Sequence, residues 1–358
     1  MKLIRTEDAV GTVLCHDITQ IIKGVTKDAV FRKGHIVTEE DIPVLLSCGK
    51  ENLYVWECRE GMMHENEAAE FLCALCKGDN LKRGDVKEGK IELSAECDGL
   101  LKVDEAGVLA VNSAGEMMIA SRHGNFPVKK GDKVAGTRII PLVIEEKKLL
   151  AVKEKIDKLQ EASRKSRERT VQQDAEIRPL YNILPFRHKK AAIIATGSEI
   201  QKGRIEDTFT PVIEAKLSEY DTEIVYTAKP GDEHEAITGE ILKAVNEYGA
   251  DLVLCTGGMS VDPDDRTPLA IRNTGARIVC YGAPVLPGAM FMLGYYSGIP
   301  VMGLPGCVMF HGRTIFDLVL PRIMADDEIF PEEISKLGTG GLCLNCAVCT
   351  FPNCGFGK

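Results

Sequence analysis

Apolar residues recur along this chain with three rhythms, and each rhythm marks a different region. In the first 58 residues they form short β-type runs such as Ala29-Val30-Phe31, punctuated by Gly24 and Gly34. Thr38 followed by Asp41 is a capping box with Asp in the Glu position. The helix it opens places Ile42, Leu45 and Leu46 on one face and stops at Gly49, after which Leu53-Tyr54-Val55-Trp56 reads as a strand. Residues 61–80 read as helix. From 90 to 144 the pattern becomes short strands at Lys90–Ala95, Gly99–Val103, 108–111 and 134–140. The turns Asp98-Gly99, Ala106-Gly107 and Lys130-Gly131-Asp132 support a β-rich region there. From 145 to about 176 a charge-rich helical connector follows. Its single apolar stripe of Leu149, Val152, Ile156 and Leu159 is to be covered by the body of the protein or by a second copy in a homodimer. Pro179 and Pro185 close it.

From residue 189 the rhythm is strand, glycine loop, helix, repeated. The run 191–195 is continuously apolar, as a parallel strand with both faces covered should be. It ends in Thr196-Gly197-Ser198-Glu199. A helix at 209–219 follows, then a strand at 223–227 running into Lys229-Pro230-Gly231-Asp232, a helix at 233–248, and a strand at 251–255 ending in Thr256-Gly257-Gly258-Met259-Ser260. A further strand at 301–304 ends at Pro305-Gly306. This predicts an α/β, doubly wound, three-layer domain, preceded by smaller α+β and β-rich modules. The divisions are 1–58, 59–144, 145–187, 188–330 and a Cys-rich tail, 331–358.

Composition narrows the function classes. At 358 residues the chain exceeds one ordinary core, and a net charge of −9 disfavours a nucleic-acid or anionic-membrane surface. Arg5, Glu7 and Asp8 interrupt the first residues, so no signal-peptide core is expected, and no apolar run approaches the ~20 residues of a membrane span. A cytoplasmic location is expected, where the 13 cysteines stay reduced.

The chemistry gathers in the α/β half. In doubly wound sheets ligands bind at the carboxyl ends of the strands, where the Thr-Gly turns fall. Glycine there lets backbone amides approach a phosphate. Glu199, Asp207, Asp232, Asp262, Asp264 and Asp265 stand beside the same turns, and carboxylates next to phosphate-cradling glycines suit Mg²⁺, a hard cation that takes oxygen ligands. His64, Glu65 and Glu67 read as a charged helix start, and Cys73 and Cys76 as buried thiols on a helix.

Five segments together resemble one family. They are Ala195-Thr196-Gly197-Ser198-Glu199-Ile200, Asp207-Thr208, Gly231-Asp232, Thr256-Gly257-Gly258-Met259-Ser260-Val261 with Asp265, and Gly303-Leu304-Pro305-Gly306. The resemblance is to the molybdopterin molybdenumtransferases, the MoeA type that includes the E domain of gephyrin. The first module, from Phe31-Arg32-Lys33-Gly34-His35 to Tyr54-Val55, resembles parts of that family too. The resemblance implies binding of adenylated molybdopterin, with a divalent cation such as Mg²⁺ and molybdate, and release of AMP as the metal is inserted. It places catalytic carboxylates at Glu199, Asp232 and Asp265, with Asp232 and Asp265 on Mg²⁺. It assigns Thr196, Gly197, Ser198, Asp207, Thr256, Gly257, Gly258, Ser260, Pro305 and Gly306 to the pterin, its phosphate or the adenylate.

The chain departs from that family's pattern at Asp262, at Ala289 where an anion-binding lysine is usual, and at Cys307 and Val308. Arg266, Lys229 or the segment His311-Gly312-Arg313 are the candidates to supply the missing charge. A non-catalytic molybdopterin carrier serving one molybdoenzyme is therefore an alternative. Thr256-Gly257-Gly258 with Pro263-Asp264-Asp265-Arg266-Thr267 also resembles the competence/damage-inducible proteins, which implies hydrolysis of nucleotide pyrophosphates such as ADP-ribose.

The last signal is Cys343, Cys346, Cys349 and Cys354, spaced x2, x2, x4. Few apolar residues accompany them, so a staple is expected. In a reducing compartment that staple is Zn²⁺ or an Fe–S cluster. Gly338-Thr339-Gly340-Gly341 reads as a flexible hinge that makes the tail a separable appendage.

Overall fold

Every residue of the run 191–195 is buried, as a strand covered on both faces demands. The computed structural model describes residues 2–22, 26–55, 61–167, 179–260 and 266–358, which fall into two compact units. The C-terminal unit holds residues 183–358 together with 97–102 and 123–129. Its centre is a sheet of six strands: β1 (Lys189–Ala195), β2 (Thr222–Ala228), β3 (Leu252–Thr256), β4 (Arg277–Tyr281), β5 (Met292–Tyr296) and β6 (Ile299–Leu304). Their order is β2-β1-β3-β6-β5-β4, with β2, β1, β3 and β6 parallel, and β5 and β4 added antiparallel.

Alternation along the strands builds the layers. Ala191, Ile193, Leu252, Leu254, Met302 and Leu304 pack on one face against Ile213 and Leu217 of α1 (Phe209–Leu217). The same cluster takes in Ile315, Phe316, Val319 and Ile323 of a later helix, Ile315–Met324. Ala192, Ile194, Val253 and Cys255 pack on the other face against Ile237, Ile241 and Ala244 of α2 (His234–Asn246) and Ala270 and Ile271 of α3 (Thr267–Asn273). With Ile315–Met324 named α4, helices cover both faces, and the domain is the three-layer α/β fold expected of it. Thr314 and Asp317 form the capping box that starts α4.

In the N-terminal unit, strands Lys2–Arg5 and Asn52–Val55 pair antiparallel, and Thr38 N–H and Oγ1 both donate to Asp41 Oδ2 at 2.8 Å ahead of helix Asp41–Ser47. A second sheet orders Leu81–Arg83, Lys90–Ala95, Lys133–Ile139 and Met117–Ser121. His64 caps the helix Glu65–Cys76, accepting from the Asn66 amide at 3.1 Å, and burial pushes up the thiols of Cys73 and Cys76 on that helix. The connector is helical over Glu146–Arg167. Its stripe is covered within the unit, with Leu149, Val152 and Ile156 all buried and the helix packed on Glu65–Cys76 and Glu105–Asn112. Residues 168–178 of the connector lie outside the described residues. Among the described residues no helix is long and apolar enough to cross a membrane.

Two expectations are corrected. Residues 108–111 are not a strand but part of the helix Glu105–Asn112, whose N-terminus is capped by Asp104 accepting from the Gly107 amide at 3.0 Å. Gly107 marks a close approach, since a Cβ there would lie 2.3 Å from Leu180. The tail is not hinged either. A Cβ on Gly340 would lie 2.0 Å from the Lys358 carbonyl, and one on Gly357 would lie 2.5 Å from Leu318. Phe356 is 4% exposed within the same core as α4, and Phe351 packs 6.0 Å from Phe126 and 6.2 Å from Phe356. Glycine here serves tight packing.

The tail therefore contributes to the stability of the α/β unit. Phe356→Ala is expected to cost about 3–5 kcal/mol in urea unfolding of the whole chain, the usual cost of deleting a buried aromatic ring. A change under about 1 kcal/mol would mean the tail is not part of this core.

Candidate functional site

The parallel strands bring their carboxyl ends into line, with Ala195 opposite Thr256 and Thr256 opposite Leu304. The loops that leave these ends are fastened to one another. The Thr196 amide and its Oγ1 both donate to the Thr256 carbonyl, at 2.8 and 3.0 Å. Thr267 Oγ1, at the start of α3, donates to the Gly257 carbonyl at 2.8 Å and lies 3.1 Å from Thr196 Oγ1. Gly257 and Gly258 have φ of +84° and +55°, and a Cβ on Gly257 would lie 2.4 Å from the Thr196 carbonyl. Only glycine fits that turn. Beneath it, Thr256 Oγ1 is buried and has no hydrogen-bond partner among the described residues.

The second loop is tied to the first. Gly197 (φ +135°) leads into the single helical turn Ser198–Gln201, and the Ser198 amide donates to Asp232 Oδ2 at 2.9 Å. A Cβ on Gly231 would lie 2.7 Å from Gln201 Oε1, so Gly-Asp is held against that turn. Glu199, on the same turn, is exposed. Asp232 is thus positioned by the backbone of the first loop, with a further carboxylate oxygen beyond the one that Ser198 engages.

Asp207 stands differently. Its Oδ1 accepts from the amides of Phe209 and Thr210 at 3.1 and 3.0 Å, and its Oδ2 accepts from Thr210 Oγ1 at 2.7 Å and pairs with Lys229 at 3.2 Å. Both oxygens hold the start of α1. At the fourth strand end, Pro305 is buried, Gly306 is exposed, and the Val308 amide donates to the Pro305 carbonyl at 3.0 Å. Ser260 is exposed, with its carbonyl accepting from Tyr281 Oη at 3.5 Å. Asp265 lies outside the described residues, as do Asp262 and Asp264. Among the described residues, no three His, Cys, Asp or Glu side chains converge as a metal cage, and this includes the four tail cysteines.

Arg313, Lys216, Lys229 and Arg266 are each engaged. Arg313 pairs with Asp317 at 2.9 Å and Glu219 at 3.0 Å, while the buried Lys216 donates to Asp317 at 2.6 Å and to the Gly312 carbonyl at 2.8 Å. Lys229 is on Asp207, and Arg266 stands 3.8 Å from Glu233. Ala289 is exposed on the loop between β4 and β5.

Compared with known proteins, residues 192–325 match the model described as "Probable molybdopterin binding domain". That segment is similar to this domain family. Residues 3–57 match a second model, described as a domain of unknown function, DUF8806. The chain is 28% identical over 127 residues to the molybdopterin molybdenumtransferase of Staphylococcus epidermidis, covering 34% of this chain and 30% of that one. It is 36% identical over 89 residues to a competence-damage inducible protein of Bacillus velezensis, covering 25% of this chain and 21% of that one. The chain thus spans between a fifth and a third of the length of these relatives. Among solved structures, the molybdopterin biosynthesis enzyme MoaB of Thermus thermophilus aligns with TM-score 0.32 and 19% identity, over 40% of this chain and 98% of that one.

Within this segment, motif reading finds the glycine turns and Asp232 but misses what ties them. Thr267 is the hydroxyl that fastens the third loop, and its only sequence signal is its place after Arg266 at the start of a helix. The Lys216–Asp317 pair joins residues 101 apart, and no local pattern announces it.

Asp207 carries a pH signature. Burial alone would raise its carboxyl, but the amide and hydroxyl of Thr210 and the Lys229 ammonium outweigh it and hold the group below the ordinary aspartate range. A depressed folded pKa stabilises above the unfolded value and is lost as pH falls through the folded one. Asp207→Asn should therefore flatten the loss of stability below about pH 4, the ordinary aspartate range. Urea midpoints measured from neutral pH downward test this, and parallel curves for the two proteins would refute it.

Proposed function

We propose that this chain binds molybdopterin in its adenylated form at the carboxyl edge of the sheet and serves molybdenum-cofactor assembly, inserting molybdate with release of AMP. The observation that carries the reading is the mutual fastening of the Thr196, Asp232 and Gly257 loops within a segment that matches a molybdopterin-binding domain. Gly257 and Gly258 let the backbone approach a phosphate, and the Thr256 hydroxyl, without a partner among the described residues, offers a buried polar group at the same place. An unsatisfied buried hydroxyl costs about 1–3 kcal/mol, which a bound polar group would offset.

Mg²⁺ fits these residues because it is commonly held by one or two carboxylates plus substrate phosphates rather than by a full protein cage. Asp232 and Asp265 are the proposed ligands, with Glu199 the third acidic residue of the site. When bound, the ion would neutralise charge on the phosphoanhydride. The protein's own part is to hold Asp232 by the Ser198 amide and to present loop amides to the phosphates.

The engagement of Arg313, Lys229 and Arg266 and the exposed Ala289 favour a second reading, a carrier that binds the pterin without turnover for a recipient molybdoenzyme. The competence-damage inducible relative supports a third, an ADP-ribose-type pyrophosphatase.

AMP release separates the three. With adenylated molybdopterin, molybdate and Mg²⁺, the chain should release AMP, and Asp232→Asn should slow it on the order of 10²-fold, the scale for removing one electrostatic stabiliser, because asparagine keeps an acceptor for Ser198 but loses the charge. Tight pterin binding without AMP would replace insertion by the carrier reading. AMP from ADP-ribose alone would replace both.

A further inference from the structure

The described cysteines range from buried to exposed. Cys15, Cys73, Cys76 and Cys255 are buried, and burial pushes the Cys255 thiol up to about 12. Among the described cysteines the exposed ones are Cys346 and Cys349, both in the tail. We propose that Cys343, Cys346, Cys349 and Cys354 form one thiolate-ligated metal centre anchored at the carboxyl edge of the sheet.

The loop that carries them is fixed at both ends and unsupported between. Cys343 is held by its amide donating to the Leu286 carbonyl and by the Leu286 amide donating to the Gly341 carbonyl, both at 2.8 Å. Cys354 lies between Phe351 and Phe356, which pack into the core of the unit, and both Cys343 and Cys354 are half-buried against that core. From Leu344 to Cys349, among the described residues, the backbone makes no hydrogen bond, and Leu344 and Val348 are 78% and 76% exposed. Six ordered residues with so little burial or bonding have little to offset their conformational entropy. A bound cation supplies that term, because metal binding and ordering of such a segment are one event.

The donor chemistry selects a soft metal. Between Lys336 and Lys358 the chain has no charged side chain and no histidine, so its metal-binding groups are the four thiols. Thiolate sets favour zinc and iron–sulfur clusters over Mg²⁺ or Ca²⁺. Each thiol gives its proton to solvent on ligation. In this structure the four sulfurs do not converge, so binding draws the exposed 344–349 segment toward Cys343 and Cys354.

Placement gives the centre its interest. Leu286 belongs to the loop between β4 and β5, and Tyr281 and Met292, which flank that loop, lie at the same edge as Gly303 and the glycine turns. The centre would fasten the loop that carries Ala289. The inference stands on the tail alone and does not need the proposed activity.

Full-length protein, purified anaerobically, is analysed for zinc, iron and acid-labile sulfide. It is then stripped and reconstituted with Zn²⁺, or with Fe²⁺ and sulfide, followed by desalting. The expected result is one retained centre per chain, its loss in the Cys346→Ser/Cys349→Ser double variant, and a thermal midpoint that falls on stripping in the wild type but not in the variant. Colourless protein with zinc identifies a zinc site, and visible absorption with iron and sulfide identifies a cluster. Far-UV circular dichroism of the variant guards against misfolding, since both substituted residues are exposed. The proposal is overturned if no metal survives desalting in the wild type, or if the folded variant retains as much as the wild type.

Discussion

Gly257 approaches the carbonyl of Thr196 as closely as it does only because it lacks a Cβ, and much of the sheet's carboxyl edge is arranged around that contact. The turn lets the chain leave β3 and fold back over the end of β1 without losing the bond between Thr196 N–H and the Thr256 carbonyl. Thr267 then closes the third loop from the far side through the Gly257 carbonyl. An alanine at 257 would face both the contact and a φ of +84°, so the turn would have to open and the hydroxyls that meet there would separate. Precision at this edge is thus a consequence of backbone packing, with the side chains set by it.

Charge organises the neighbouring strand end by a different means. Lys216 from α1 and Arg313 from the loop before α4 both reach Asp317, which already caps α4 with Thr314. Removing Asp317 from this set costs about 3–5 kcal/mol, because the buried Lys216 is left without its counter-ion. The arrangement fixes the segment after Gly306 by joining it to α1. It also commits Arg313 and Lys216 to structure, so neither is a free cation for a bound anion.

The α/β layers are legible in the sequence because their signal is local: a continuously apolar run, a glycine turn and an amphipathic helix each declare themselves within a dozen residues. Ala191 to Ala195 are read in this way, and the structure buries them. The antiparallel addition of β4 and β5 is not legible, since Arg277–Tyr281 and Met292–Tyr296 have mixed exposure and no strong period. Glycine misleads twice for one reason. At Gly107 and in the stretch from Gly338 to Gly341 it suggests a loop or hinge, while its use is to let two segments touch. Sequence records that a Cβ is absent but not what occupies its place.

The same distinction bears on the carboxylates. Asp207 and Asp232 look alike in sequence, each beside a turn and each followed within a few residues by a helix. Asp207 spends both oxygens on Phe209, Thr210 and Lys229, and its charge is neutralised by the cation it faces. Asp232 is held through one oxygen by the Ser198 backbone amide, which orients the group, and among the described residues it has no counter-ion. A carboxylate already paired and saturated gains little from a metal, whereas one that is oriented but not neutralised gains much. Of the two, Asp232 is the residue whose surroundings leave an oxygen open to a cation, and Asp207 is the residue that holds the start of α1.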